Sequence, residues 1–179
     1  MNVFAWIGWF DFPQSFDTNE WTILLLTAGG WTAVLRWGRH FPRSLLMLLL
    51  SAGLMSAMTL DLMLAGPPLD MYDMNDTNKV EWFDLLLYLA YPPFGFLFLY
   101  LYTRLQLSGF FTLMYILVWS TGGVLVEWIT YEAGVFHYKT WDMWHSLTVY
   151  LIVQAAYLYL FRYSRRWYLR SSSQLRQRF

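Results

Sequence analysis

Six ionisable side chains stand inside or beside long apolar runs of this sequence, where charged groups are costly. They are Asp61, Glu81, Asp84, Glu127, Asp142 and His145. Carboxylates and imidazole can bind a cation, exchange protons, or ligate zinc, iron or manganese. An ionisable group at the centre of a membrane-spanning helix costs about 2.5–3.5 kcal/mol and usually faces the protein interior. The six residues therefore predict one shared polar site.

Three interpretations of these residues remain open. The first is a cation or proton site, which extends to a proton or cation pathway. The second is a divalent metal in a membrane-embedded enzyme that acts on a lipid or envelope substrate. Its ligands would be Glu127, Asp142 and His145, with one of Asp61, Glu81 or Asp84. In the third, the acids lie at the headgroup boundary and pair with Lys79, Lys139 or backbone donors. We favour a non-catalytic protein that binds a cation, a small solute or a partner.

Helical spacing places part of this set on one face. Glu81 precedes Asp84 by three residues, and Tyr88 and Tyr91 follow it by four and seven, so the four side chains share a helix face. The next residues, Pro92-Pro93, predict a kink, because proline removes a backbone donor and clashes with the preceding turn. The kink would be either a fixed bend or a hinge.

Composition places these residues in a membrane protein. Of the 179 residues, 58% are hydrophobic and 13% are charged, and the mean hydropathy is +0.35. Soluble domains carry about 25% charged residues. The absence of cysteine excludes disulfides, thiolate catalysis and iron–sulfur clusters. The sequence also lacks a Ser-His-Asp spacing, a glycine-rich phosphate loop and a His-Glu-x-x-His motif.

Five apolar runs are each about the length that crosses a bilayer, roughly 20 residues. They cover about residues 19–37, 44–65, 79–103, 109–131 and 140–162. An aromatic segment (residues 1–18) precedes them and is predicted to lie in the membrane interface, and a basic tail (residues 163–179) follows. The sequence thus predicts a single all-α membrane domain, a bundle of five transmembrane helices.

The charged residues sort by connecting segment. All ten arginines fall in or next to the segment between runs one and two, the segment between runs three and four, or the tail, whereas both lysines and most acids fall elsewhere. Cytoplasmic loops are enriched in arginine and lysine. This predicts an N-terminus outside and a C-terminus inside a bacterial cytoplasmic membrane. The tail suits anionic lipid, and we expect no nucleic-acid binding; a homo-oligomer or a membrane partner remains open.

The sequence also resembles a known family between about residues 35 and 166. The residues that carry the resemblance are Arg36-Trp37-Gly38, Glu81 to Asp84, Leu85 to Tyr88, Val126 to Ile129, Gly134, Tyr138, Trp141, Trp144 and Ser146. They resemble small polytopic membrane proteins typical of endospore-forming Firmicutes, a family without an assigned activity. The resemblance implies a membrane-embedded fold with Glu127, Trp141 and Trp144 in the family pattern. His145 departs from that pattern, which favours a carboxylate-only site over a metal site.

Overall fold

The computed structural model describes residues 16–75 and 81–176, and these fold into five α-helices and two short strands. The elements are α1 (Thr18–Trp37), α2 (Arg43–Leu64), β1 (Tyr72–Met74), α3 (Trp82–Leu105), α4 (Phe110–Glu132), β2 (Phe136–Tyr138) and α5 (Met143–Arg176). The predicted helical class is confirmed, with a two-stranded sheet in addition. The helix α5 continues to Arg176, through most of the segment predicted as a tail. The predicted interfacial segment (1–18) lies mostly outside the described residues.

Three helices, α2, α3 and α4, are each long and apolar enough to cross a membrane. Half of the most apolar stretch of α3 is buried inside the protein, compared with 17% in α2 and in α4. Apolar side chains of the two outer helices, such as Met47, Leu113 and Val118, are exposed. The central position of α3 and the apolar exterior of α2 and α4 are typical of a bundle that is solvated by lipid.

The prolines of α3 lie where it meets its two neighbours. A Cβ atom added at Gly30 of α1 would lie 2.7 Å from Cβ of Pro93, and one added at Gly53 of α2 would lie 3.3 Å from Cα of Pro92. Both prolines are buried within the continuous helix. Glycine at these two positions lets the helix backbones approach closely, as small residues do in membrane bundles. Pro92 and Pro93 are thus held between α1 and α2.

A tryptophan compensates for one hydrogen bond that the prolines remove. Pro93 has no N–H to donate to the carbonyl of Leu89, four residues earlier. The indole Nε1 of Trp31 in α1 donates to that carbonyl oxygen at 2.9 Å. An unsatisfied carbonyl in the apolar region would cost free energy, so Trp31 stabilises both the proline turn and the contact between α1 and α3.

Replacing Trp31 by phenylalanine is expected to lower the free energy of unfolding by about 1 kcal/mol, the net value of a typical intramolecular hydrogen bond. The aromatic ring is kept, whereas the donor to Leu89 is lost. Reversible unfolding of the purified protein in mixed micelles measures the change. Trp144, which is 77% exposed, provides the control: equal losses in Trp31→Phe and Trp144→Phe would contradict the assignment.

The helix α5 is joined to the central helices by a buried tyrosine. The hydroxyl of Tyr157 donates to the carbonyl oxygen of Leu49 in α2 at 2.6 Å. Its ring lies so close to Gly95 of α3 that an added Cβ there would be 2.9 Å from Tyr157 Cε1. Phe161, one turn further along, is buried in the same core. Tyr157 therefore links α2, α3 and α5.

Two arginine side chains, Arg104 and Arg162, make contacts between elements at one end of the bundle. The guanidinium of Arg104 lies 3.2 Å from Nε2 of His40 and donates to the hydroxyl of Tyr100 at 3.2 Å. Arg162 of α5 donates to the hydroxyl of Tyr102 and lies over its ring. The turn between α1 and α2, the end of α3 and the part of α5 around Arg162 are therefore neighbours.

The opposite end is covered by an antiparallel ribbon, formed by β1 and β2 with Tyr72 opposite Tyr138. Lys139 follows β2 and binds Asp70 and Asp73 through its Nζ atom at 2.7 and 2.8 Å. The ribbon joins the segment after α2 to the segment after α4. The ribbon therefore lies at the end of the bundle opposite Arg104 and Arg162, and it carries the acidic residues Asp70 and Asp73.

Candidate functional site

A cavity of about 580 Å³ lies between α2, α3, α4 and α5, beneath the ribbon. The wall of the cavity is mostly apolar and aromatic. The residues that line it include Tyr138 in the ribbon and, further along the bundle, Tyr157 of α5. Tyr157 lies about 21 Å along α5 from Met143, at 1.5 Å per residue. Pockets for small molecules measure about 300–1,000 Å³ and are typically apolar with a few polar groups. The cavity has the size and composition of such a pocket.

Glu127 of α4 lies in the cavity wall and accepts hydrogen bonds from three hydroxyl groups. Ser146 donates to its Oε1 at 2.6 Å, Tyr138 donates to the same oxygen, and Tyr150 donates to Oε2 at 2.6 Å. The indole of Trp141 donates in turn to Ser146 Oγ at 2.7 Å. Both carboxylate oxygens of Glu127 therefore have donors from the protein, and the group joins α4 to α5 and the ribbon.

Asp61 of α2 is the second carboxyl group in the wall, and one of its oxygens lacks a donor. The residue is 8% exposed, and Tyr72 of β1 donates to its Oδ1 at 2.5 Å. Within the part of the chain that the structure describes, the buried Oδ2 atom has no hydrogen-bond partner. A buried polar atom without a partner costs about 1–3 kcal/mol, and more when it is charged. Asp61 is therefore a cavity-wall residue that carries one buried acceptor atom, Oδ2, without a partner among the described residues.

The tyrosines of the ribbon remain donors at neutral pH. Burial raises the pKa of Tyr72 above its ordinary value, and the adjacent Asp61 adds to the effect. Burial and the contact with Glu127 raise the pKa of Tyr138 in the same way. Both phenols consequently keep their protons and present O–H groups to the carboxylates, which fixes the carboxylate oxygens in place.

Glu81 and Asp84 lie at the beginning of α3, and neither is part of the cavity wall. Asp84 accepts from the side-chain amide of Asn75 at 2.5 Å and from the backbone N–H of Glu81 at 2.7 Å. The two acids form a capping box that satisfies backbone donors in the first turn. Capping of the first turn of α3 therefore accounts for the position of Glu81 and Asp84. Lys79, predicted as a possible partner, lies outside the described residues.

Asp142 and His145 lie at the beginning of α5 and are exposed, again outside the cavity wall. Oδ1 of Asp142 lies 2.8 Å from Nδ1 of His145 and accepts from the backbone N–H groups of Trp144 and His145 at 3.0 Å. The structure does not bring this pair to Glu127. In residues 16–75 and 81–176, no three Asp, Glu or His side chains are placed to hold one metal ion.

Acidification is expected to loosen the first turn of α5. The hydrogen bond from the backbone N–H of His145 lowers the pKa of Asp142 below its ordinary value. Because the pKa is lower in the folded chain, the cap contributes fully above the ordinary aspartate pKa of about 3.9 and is lost as the pH falls through the lower folded value. Amide hydrogen exchange at Trp144 and His145, corrected for the intrinsic pH dependence, measures the loss.

The control for this prediction is Asp142→Asn, because asparagine caps a helix about as well as aspartate and does not titrate. Protection in this variant should be independent of pH. If the wild type and Asp142→Asn respond to acid equally, the Asp142 carboxylate does not hold the turn.

Of the predicted site residues, Asp61, Tyr91 and Glu127 share the cavity wall. Tyr88 is buried outside that wall. The wall also contains polar residues that were not among the predicted site residues. They are Ser56, Tyr72, Thr130, Tyr138, Trp141, Ser146, Tyr150, Gln154 and Tyr157. Four of these recur on α5 at positions 146, 150, 154 and 157, a helical spacing that was visible in the sequence.

Comparison of the chain with protein-family models, with curated proteins and with solved structures gives no match. The resemblance to the Firmicutes family therefore stays a prediction. What the site can do follows from its own geometry: a half-open, mostly apolar space with two carboxyl groups in its wall, one of which has a buried oxygen without a hydrogen-bond partner among the described residues.

Proposed function

We propose that the chain crosses the membrane five times, with its N-terminus outside and its C-terminus inside. The helix α1 has 20 residues, about 30 Å at 1.5 Å per residue, and packs along the central helix α3. Four polar residues of α5 line the cavity, namely Ser146, Tyr150, Gln154 and Tyr157. They lower the mean hydropathy of α5 but would not contact lipid if the helix spans the membrane. The arginine end would face the cytoplasm and the acidic ribbon the outside.

Single cysteines test this topology, since the chain has none of its own. Thr140 and Ser108 are both exposed, the first beside the ribbon and the second between α3 and α4. In right-side-out vesicles, a membrane-impermeant thiol reagent should label Thr140→Cys at once and Ser108→Cys only after the membrane is permeabilised. Labelling of both from the same side would refute the proposed five-span topology.

We further propose that the protein is a non-catalytic membrane protein that binds a small, positively charged solute in the outer cavity. The observation that supports this most directly is the vacant Oδ2 atom of Asp61. A positively charged ligand would supply the missing partner of this oxygen and would neutralise a carboxylate in an apolar wall. Glu127, whose oxygens already accept three hydroxyl groups, would add negative potential and hold the wall in shape.

Cation binding is measured with purified protein in lipid nanodiscs, using the tryptophans in the cavity wall, such as Trp119 and Trp141, as fluorescent reporters. The probes are chlorides of sodium, magnesium, tetramethylammonium and benzylammonium. At least one should bind the wild type and bind Asp61→Asn at least about tenfold more weakly, because a hydrogen bond to a charged group is worth about 1.5–3 kcal/mol.

The matched control is Asp73→Asn, which removes a carboxylate that binds Lys139 at the surface of the ribbon. It should leave the affinity nearly unchanged. If no probe distinguishes Asp61→Asn from the wild type, the cavity is not a cation site and the proposed function fails.

A further inference from the structure

The cavity combines one vacant carboxylate oxygen with a large apolar volume, and this combination restricts the kind of cation that fits. From this combination we infer that the ligand is a protonated amine with an apolar, preferably aromatic, body. The inference rests on the cation-binding function proposed above. Its N–H group would donate to Oδ2 of Asp61, and its body would fill the space between α2, α4 and α5.

The N–H group is required by the hydrogen bonding of Asp61. Tyr72 already occupies Oδ1, while the buried Oδ2 has no donor among the residues described. A protonated amine places a directional donor and a positive charge on that oxygen at once, which is the strong, charge-assisted type of hydrogen bond. A quaternary ammonium carries the charge without a donor and would leave Oδ2 unsatisfied.

An inorganic ion fits this wall less well. Calcium takes six to eight oxygen ligands, and magnesium keeps an octahedral shell with several waters. The described residues offer no group of three acids for such an ion, and both oxygens of Glu127 already accept hydroxyl groups. A metal ion would have to retain most of its water against an apolar wall.

The volume and the aromatic wall account for the apolar body. About 580 Å³ is far more than an ammonium group needs. Rings from Tyr91, Phe94 and Trp119 belong to the wall, and aromatic faces attract cations and pack against apolar groups. Burial of the body would contribute through the hydrophobic effect, at about 25 cal/mol per Å² of apolar surface.

Calorimetric titration in nanodiscs at neutral pH tests the inference with four probes: benzylammonium, benzyltrimethylammonium, benzyl alcohol and magnesium. We expect benzylammonium to bind the wild type at least about tenfold more tightly than the other three, as a charge-assisted hydrogen bond predicts. In Asp61→Asn the affinity for benzylammonium should fall to that for benzyl alcohol. The order of the probes on the wild type is informative even if Asp61→Asn fails to fold.

The other outcomes separate this inference from the function on which it rests. If benzyltrimethylammonium or magnesium binds as tightly as benzylammonium, and this binding depends on Asp61, the amine inference is overturned and cation binding stands. If no probe binds, or none depends on Asp61, both are overturned. Equal binding of benzyl alcohol and benzylammonium to the wild type also overturns both, because charge then plays no part.

Discussion

Replacing Glu127 by glutamine is expected to lower the free energy of unfolding by about 3 kcal/mol, the upper value for hydrogen bonds to a charged group. The carboxylate accepts from Tyr138, Ser146 and Tyr150. Glutamine offers one acceptor oxygen and replaces the other by an NH₂ donor, which would face at least one hydroxyl that needs an acceptor. The contact between α4 and α5 at the ribbon end of the bundle should loosen first.

Reversible unfolding in mixed micelles measures this loss, and Glu132→Gln is its control. Glu132 lies at the end of the same helix, is exposed, and accepts one hydrogen bond from the indole of Trp128. Its replacement should cost less than about 1 kcal/mol. Equal losses for the two variants would show that the three hydrogen bonds of Glu127 with hydroxyl groups do not hold the ribbon end of the bundle together.

Adding one methyl group at Gly30 is expected to destabilise the fold by about 1–3 kcal/mol, the typical cost of overpacking a buried site. The new Cβ would lie 2.7 Å from Cβ of Pro93, which belongs to a rigid ring inside α3. Neither partner can rotate away, so α1 and α3 would have to separate. The hydrogen bond from Trp31 to Leu89 would lengthen with them.

The neighbouring glycine provides a matched control. Gly29 is exposed, and an added Cβ there meets nothing within 4 Å. Gly29→Ala should be neutral or stabilising by up to about 1 kcal/mol, because alanine is the better helix former. If Gly29→Ala and Gly30→Ala unfold alike, the close contact between α1 and α3 is not a feature of the folded protein.

The local elements were predictable because their causes are local. Apolar runs and their flanking residues placed five helices to within a few residues at most ends. Each proline leaves a backbone carbonyl of the preceding turn without its usual donor, and this follows from the local sequence alone. The donor itself, Trp31, is 58 residues away from Leu89 in the sequence, and no local pattern identifies it.

The composition of the site was harder to predict because similar depth in a membrane does not imply a shared cavity. Asp84 and Asp142 cap helices. Capping is an alternative explanation for any acid near the start of a helix, so such an acid does not by itself indicate a ligand site. Asp61 and Glu127 reach the cavity because their helices face α5 and the ribbon. Tyr72 and Tyr138 lie in connecting segments whose pairing depends on the whole fold.

One measurement tests most directly whether the protein holds a cation cavity open to the outer side. Gly122 lies in the cavity wall, and an added Cβ there meets nothing within 4 Å, so Gly122→Cys should fold. In right-side-out vesicles, we expect an impermeant thiol reagent to modify this cysteine from outside and benzylammonium to slow the reaction. Modification only from the cytoplasmic side, or a rate unchanged by benzylammonium, would contradict the account.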